Sequence, residues 1–145
     1  MEENYLQVSN RELFYSAMML GLERLVNVEY DFPADEAKLE SELDETKRAL
    51  HKKKLLKENT KGEITLDFAL SLCAAFCSKP ENCMVVDEGG FYATIYNAAD
   101  SYMLLERTGE GEYAARWFAD RAPLDGYITQ KLGSGDEGAS ANGGT

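Results

Sequence analysis

Cys73 and Cys77 stand four residues apart, with Cys83 beyond them. Thiolates at i and i+4 on a helix can share one metal, and zinc is the metal that such a set would favour. The site would need a fourth ligand, and the single histidine, His51, lies in a basic stretch far along the chain. The C-x3-C-x5-C spacing also matches no familiar zinc framework. The three cysteines therefore read as small hydrophobes, with no metal. Asp35, Glu36, Glu40 and Asp44 approximate helical spacing and can be imagined around a divalent cation. A solvated acidic helix face explains them better. Asp87-Glu88-Gly89-Gly90 lacks the remaining ligand positions of an EF-hand or phosphate loop and reads as a turn. Ser9, Ser16, Ser71, Ser78 and Ser101 sit in no G-x-S-x-G context. No spaced set supplies a tuned base, an activated nucleophile or a metal cage. The expectation is a protein with no catalytic residues, no cofactor and no enzymatic activity.

The side chains better suited to work are aromatic. Tyr92, Tyr96, Tyr102, Tyr113 and Trp117 fall within a run of short strands. Tyr92, Thr94 and Tyr96 share one face of a strand, as do Tyr113, Ala115 and Trp117, because side chains alternate. Tyrosine and tryptophan concentrate binding energy at protein interfaces. These five residues are the candidate partner-binding set, some of it core and some facing another protein. Should the sheet prove enclosed, the helical part Asn10 to Leu50 is the next surface to consider.

The elements that position these residues follow from local signals. Ser9 and Glu12 form an S-x-x-E capping box, and Leu13, Phe14, Ala17, Met18, Leu22 and Leu25 recur at helical spacing. A helix is expected from about Asn10 to Val26, with Gly21 either packing closely or ending it early. Asn27 to Pro33 connects to a second helix beginning near Ala34 or Asp35, with Leu39, Leu43 and Leu50 as a thin apolar stripe. Asn59 to Glu63 is a turn, and Thr65 caps a third, highly apolar helix over Leu66 to Ser78. The period then changes to two. Strands are expected at Cys83–Val86, Phe91–Tyr96, Ser101–Arg107 and Glu112–Phe118, an antiparallel meander. A short helix from Pro123 or Leu124 to Leu132 follows. Gly133 to Thr145 reads as a disordered Gly/Ser-rich tail. The fold class is thus α+β: one domain over 1–132, with N-terminal helices packed on a three- to four-stranded meander and a short C-terminal helix.

Bulk composition narrows the function classes. The 145 residues are 44% hydrophobic and 10% aromatic, enough for a core. The formal net charge of -11 argues against phosphate-backbone binding, which depends on Lys and Arg. From Glu29 to Glu45 the chain has eight acidic residues and one basic residue, Lys38. From Lys47 to Lys61 it has seven Lys or Arg and one acidic residue, Glu58. Acid followed by base complements a helix dipole, so the basic stretch Arg48 to Lys54 reads as a solvated face and not as a nucleic-acid patch. No apolar run reaches the roughly 18–20 residues of a bilayer span. The N-terminus is acidic where a signal peptide would be basic, and the odd cysteines suit a reducing compartment. A cytoplasmic location is expected.

Two regions together resemble a known group. They are the opening helix, from Glu12-Leu13-Phe14-Tyr15 through Met19-Leu20-Gly21 to the Val28–Phe32 connector, and the apolar third helix followed by a meander containing Tyr102-Met103-Leu104-Leu105-Glu106. Over about residues 10–132 the chain is similar to the EspG-like chaperones and adaptors that accompany type VII (ESX or Ess) secretion systems. The resemblance implies a bacterial cytosolic chaperone that binds helical-hairpin secretion substrates and has no catalytic residues. It carries over no individual functional residue, and the known chaperones are about twice as long. A second reading is an immunity protein that neutralises a toxin through its acidic surface. A third is a winged-helix-type regulator, from the helix–turn–helix–strand order of Leu39 to Val86. Leu66 to Ser78 has almost none of the polar residues that a recognition helix needs.

Overall fold

The structure is a computed structural model that describes residues 5–140, with side chains described to 133. The element order is β1 (Leu6–Ser9), α1 (Asn10–Leu20), α2 (Glu36–Lys52), β2 (Leu56–Glu58), β3 (Ile64–Leu66), α3 (Phe68–Ser78), β4 (Asn82–Glu88), β5 (Phe91–Ala98), β6 (Ser101–Gly109), β7 (Glu112–Phe118) and α4 (Arg121–Ser140). The fold is α+β. Residues 1–132 are expected from the sequence to form one domain; by its contacts the chain divides into two compact units, Val8–Lys79 and Pro80 onward together with the residues before Val8.

The first unit is helical. Ser9 Oγ accepts from the Glu12 N–H at 3.1 Å, and the Glu12 carboxylate accepts from the Ser9 N–H at 2.9 Å. Both halves of the expected capping box are present, satisfying two orphan donors of α1. The helix ends early, at Leu20, because Gly21 adopts a left-handed φ of 74° that a side chain would resist. Leu22 and Leu25 therefore lie in the connector, although Leu25 is still buried. The connector is tied down by the Val26 N–H, which donates to the Cys77 carbonyl at 2.7 Å. Leu13 and Ala17 of α1, Leu50 of α2, and Leu70, Cys73, Ala74 and Cys77 of α3 are all buried. Asp67, and not Thr65, caps α3, its carboxylate accepting from the Ala69 N–H. The stretch that contains Thr65 pairs instead as a small hairpin, Leu56↔Leu66 to Glu58↔Ile64.

Glu12 is the one nearly buried carboxylate of this unit. It also accepts from Lys53 Nζ at 2.7 Å, and its side chain is 7% exposed against 35% for Lys53. Removing the cation leaves a carboxylate with little water around it. Lys53→Met is expected to lower unfolding stability by about 1–3 kcal/mol, a range discounted for the partial exposure of Lys53. Urea denaturation checks this, and an unchanged midpoint would show that the pair contributes nothing.

The second unit is a sheet with one helix. Its strand order is β1-β7-β6-β5-β4. β4 to β7 form the expected meander, each strand longer than or equal to its sequence expectation. β1 adds a fifth strand that the sequence reading lacks. Gly89 and Gly90 both take positive φ, 59° and 83°, the backbone that a two-residue hairpin turn requires. The register fixes the two faces. Phe91, Ala93, Ile95 and Leu104 form a core with Leu124 of α4, edged by Val86, Tyr102, Phe118, Tyr127 and Ile128. The Glu106 carboxylate, 16% exposed, accepts from the Tyr127 hydroxyl at 2.6 Å and from Arg116 at 3.3 Å, pinning α4 to this face. α4 starts at Arg121 and its backbone runs to Ser140, past the expected end at Leu132. The rest of the expected tail lies outside the described residues.

Candidate protein-binding surface

The five sheet aromatics separate by face. The pairings Cys83↔Tyr96, Tyr96↔Met103 and Met103↔Trp117 form one row across the sheet, and Asp87↔Tyr92 and Arg107↔Tyr113 lie on the same side. The two aromatic sets that the alternation predicts thus share a single face. Tyr102 pairs with Asn97 and Phe118 on the opposite face, beside α4.

Their burial is mixed, with one ring enclosed and four partly open. Tyr96 is fully buried, as are its neighbours Met103, Leu105 and Ala115. Tyr92, Tyr102, Tyr113 and Trp117 are half-buried. The Arg107 guanidinium stacks over the Tyr92 ring at 4.3 Å. The Trp117 indole N–H is buried and has no hydrogen-bond partner among the described residues. The register of the strands, not the aromatic content, decides this outcome. Alternation places Tyr96 on a face whose centre is closed, and its side chain is the largest fully buried one among the described residues.

A second aromatic cluster lies on the helical unit, within the Asn10–Leu50 region, with Phe32 exposed and Phe14 and Tyr30 half-buried. Asn10 Nδ2 donates to the Glu29 carbonyl at 2.9 Å and brings the connector alongside the start of α1. The rings of Phe14, Tyr30 and Phe32 then meet in a triangle. Centroid separations are 6.1 Å for Phe14–Tyr30, 5.4 Å for Phe14–Phe32 and 4.8 Å for Tyr30–Phe32, and both Phe32 contacts are edge-on. Such pairs contribute about 0.5–1.5 kcal/mol beyond area burial, which keeps the cluster assembled in water. Met18 stands one turn after Phe14 on the same helix face.

The patch is wet. Phe32 is 49% exposed and Met18 52%. Met19 and Leu20 extend the apolar surface to the end of α1, both more than two-fifths exposed. Glu23, Glu29, Asp31, Asp35 and Glu36 are exposed in the segments on either side. Methionine side chains with three rotatable bonds adapt to irregular partners, and large rings supply contact area at low entropy cost. The arrangement can bury the apolar stripe of a helix while its acidic rim meets flanking cations. Sequence reasoning missed Phe32 and Tyr30 because they lie in a connector with no period to mark a face. The signal available was three aromatics, Phe14, Tyr30 and Phe32, near a run of acidic residues.

Cys73 and Cys77 are buried and Cys83 is exposed. The hydrogen bond between the two buried thiols, followed by burial itself, pushes the Cys73 thiol well above its ordinary range. At pH 8 it stays protonated and shielded, whereas a thiolate is the reactive form. A maleimide reagent is expected to label Cys83 fast in the folded protein and Cys73 and Cys77 only on unfolding. Rapid labelling of more than one thiol would contradict the buried pair. Among the described residues, no three His, Cys, Asp or Glu side chains group as metal ligands. Among them also, no helix is long and apolar enough to cross a membrane.

No protein-family model matches the chain, and no curated protein matches it.

Proposed function

We propose that this protein is a non-enzymatic adaptor or chaperone, and that Phe14, Met18, Tyr30 and Phe32 hold the apolar face of an amphipathic helix from another protein. The observation that carries the reading is the Phe14–Tyr30–Phe32 cluster, kept at the surface with Phe32 half exposed. A ring triangle with adjacent methionines is an expensive surface for a protein to leave in water, and such patches mark interaction sites. The exposed acids beside it select a partner with Lys or Arg flanking its apolar stripe. A helix in a groove is read through side chains at i, i+3, i+4 and i+7, the geometry that a helix face and its neighbouring connector accept. This partner class is also what the likeness to EspG-like chaperones implies: a helical type VII secretion substrate held in the cytoplasm.

Affinity purification from native cytosol tests the proposal when wild type and Phe32→Asp are compared. A helical protein retained by wild type and lost from the variant supports it. A partner retained equally by both would contradict it. If the retained protein is a toxin whose activity falls on binding, the same surface serves immunity and not transport.

A further inference from the structure

The sheet unit carries a second surface, unrelated to the ring cluster. β4 is the last strand in the sheet order and pairs along one side only, from Asn82↔Asn97 to Glu88↔Phe91. Its other backbone edge has no strand beside it among the described residues. Natural sheets blunt such edges with proline, lysine, a bulge or brevity. β4 uses none of these four devices, and its charges, Asp87 and Glu88, stand only at its far end, leaving Asn82 to Val86 without one. It is seven residues long, contains no Pro or Lys, and pairs with β5 in unbroken register. The strand at the opposite edge, β1, has four residues.

The side chains on β4 point the same way. Met84 and Val85 are adjacent and so face opposite sides of the sheet, yet they are 46% and 47% exposed. Apolar surface therefore flanks the open edge above and below, where an added strand would cover both. On the α4 side, next to Met84, the surface opens into a cavity of about 240 Å³ whose walls include Ile95, Asn97, Tyr102, Arg121 and Leu124. It has room for a side chain of an added strand. Arg121 at its rim is ion-paired with Asp125 at 3.0 Å, so it does not attract a further anion strongly. The far end of β4 is Asp87-Glu88, both exposed. That charge, with the net -11, disfavours a second copy of this chain and favours a cationic occupant.

We infer that β4 captures an extended segment of a partner polypeptide as a sixth strand, apolar at its centre and carrying Lys or Arg beside Asp87 and Glu88. Main-chain hydrogen bonds to the open edge supply affinity, and the alternating side chains supply selectivity.

The probe is a short fluorescent peptide of alternating valine and threonine with two lysines at one end. Two controls replace its lysines with glutamates or N-methylate alternate backbone amides. The wild-type protein is expected to bind the lysine peptide. The glutamate and N-methyl peptides should bind at least tenfold more weakly. Val85→Lys, or Met84→Lys should the first variant fold poorly, should weaken binding of the lysine peptide at least tenfold. Phe32→Asp should not change it, which separates this site from the helix-binding patch. Failure of wild type to bind the lysine peptide would overturn the inference. Equal binding of the N-methyl peptide, or by both edge variants, would do the same. So would a wild-type dimer that Val85→Lys converts to monomer, because the edge would then belong to a second copy.

Discussion

Replacing Leu104 with alanine is expected to cost about 2–5 kcal/mol of stability, the largest single effect in the sheet unit. Leu104 is fully buried at the middle of β6, between Ile95 and Arg116 in the sheet and beneath Leu124 of α4. Its truncation removes apolar contacts from three elements and leaves a cavity that the neighbouring strands, locked in register, cannot close. Ile95→Val, one row neighbour away, should cost only about 0.5–1.5 kcal/mol because a single methylene is lost. The protein's one tryptophan, Trp117, sits on β7 of the same sheet, so its fluorescence reports the unit directly during urea unfolding. A Leu104→Ala loss below 1 kcal/mol would mean that the seam between α4 and the sheet is not the core of this unit.

The second large effect falls on binding. Phe32→Ala should weaken partner binding by about 2 kcal/mol, roughly thirtyfold, the level at which interface residues count as anchors. Stability should change much less, because Phe32 is half exposed and only the edges of two rings rest on it. Met18→Ala should follow in the same direction with a smaller loss. Glu29→Gln and Asp31→Asn should act mainly on association rate and on salt dependence, since these carboxylates are exposed and screened. Calorimetric titration against the captured partner measures the two affinity losses, and stopped-flow mixing at low and high salt measures the two rate effects. If Phe32→Ala instead lowers stability and leaves affinity unchanged, the ring cluster is a structural staple for the connector.

Much of the fold is written in local signals. The capping box at Ser9 and Glu12, the acid-to-base run of α2, the apolar α3 and the alternation of β4 to β7 each place an element within a few residues. The departures have physical causes. β1 is four residues long, and its sheet neighbour is β7, more than a hundred residues away. The Gln7 amide reaches Thr108 on that sheet, a pairing that no local pattern announces. β2 and β3 have three residues each, too few to show a period. α1 stops at Gly21 because the left-handed turn there prevails over an apolar spacing that continues to Leu25.

The candidate site was legible only in part. Alternation correctly placed Tyr92 with Tyr96 and Tyr113 with Trp117, but it could not tell that the two pairs meet on one face or that Tyr96 would be wholly enclosed. Those outcomes depend on register across three hairpins and on tertiary burial. The helical region, Asn10 to Leu50, entered only as the surface to test should the sheet prove enclosed, and nothing in the sequence singled out Tyr30 or Phe32 within it. The folding-back of the connector, through Asn10 to Glu29, is what turns Phe14, Tyr30 and Phe32 from scattered residues into a patch.

Amide hydrogen exchange of the full chain, with and without the helical segment of its captured partner, tests the central claim most directly. Binding should slow exchange across α1 and residues 26–33, and Phe32→Asp should abolish that protection. Protection confined to other residues, with α1 and 26–33 exchanging at their free rates, would contradict the assignment of this surface.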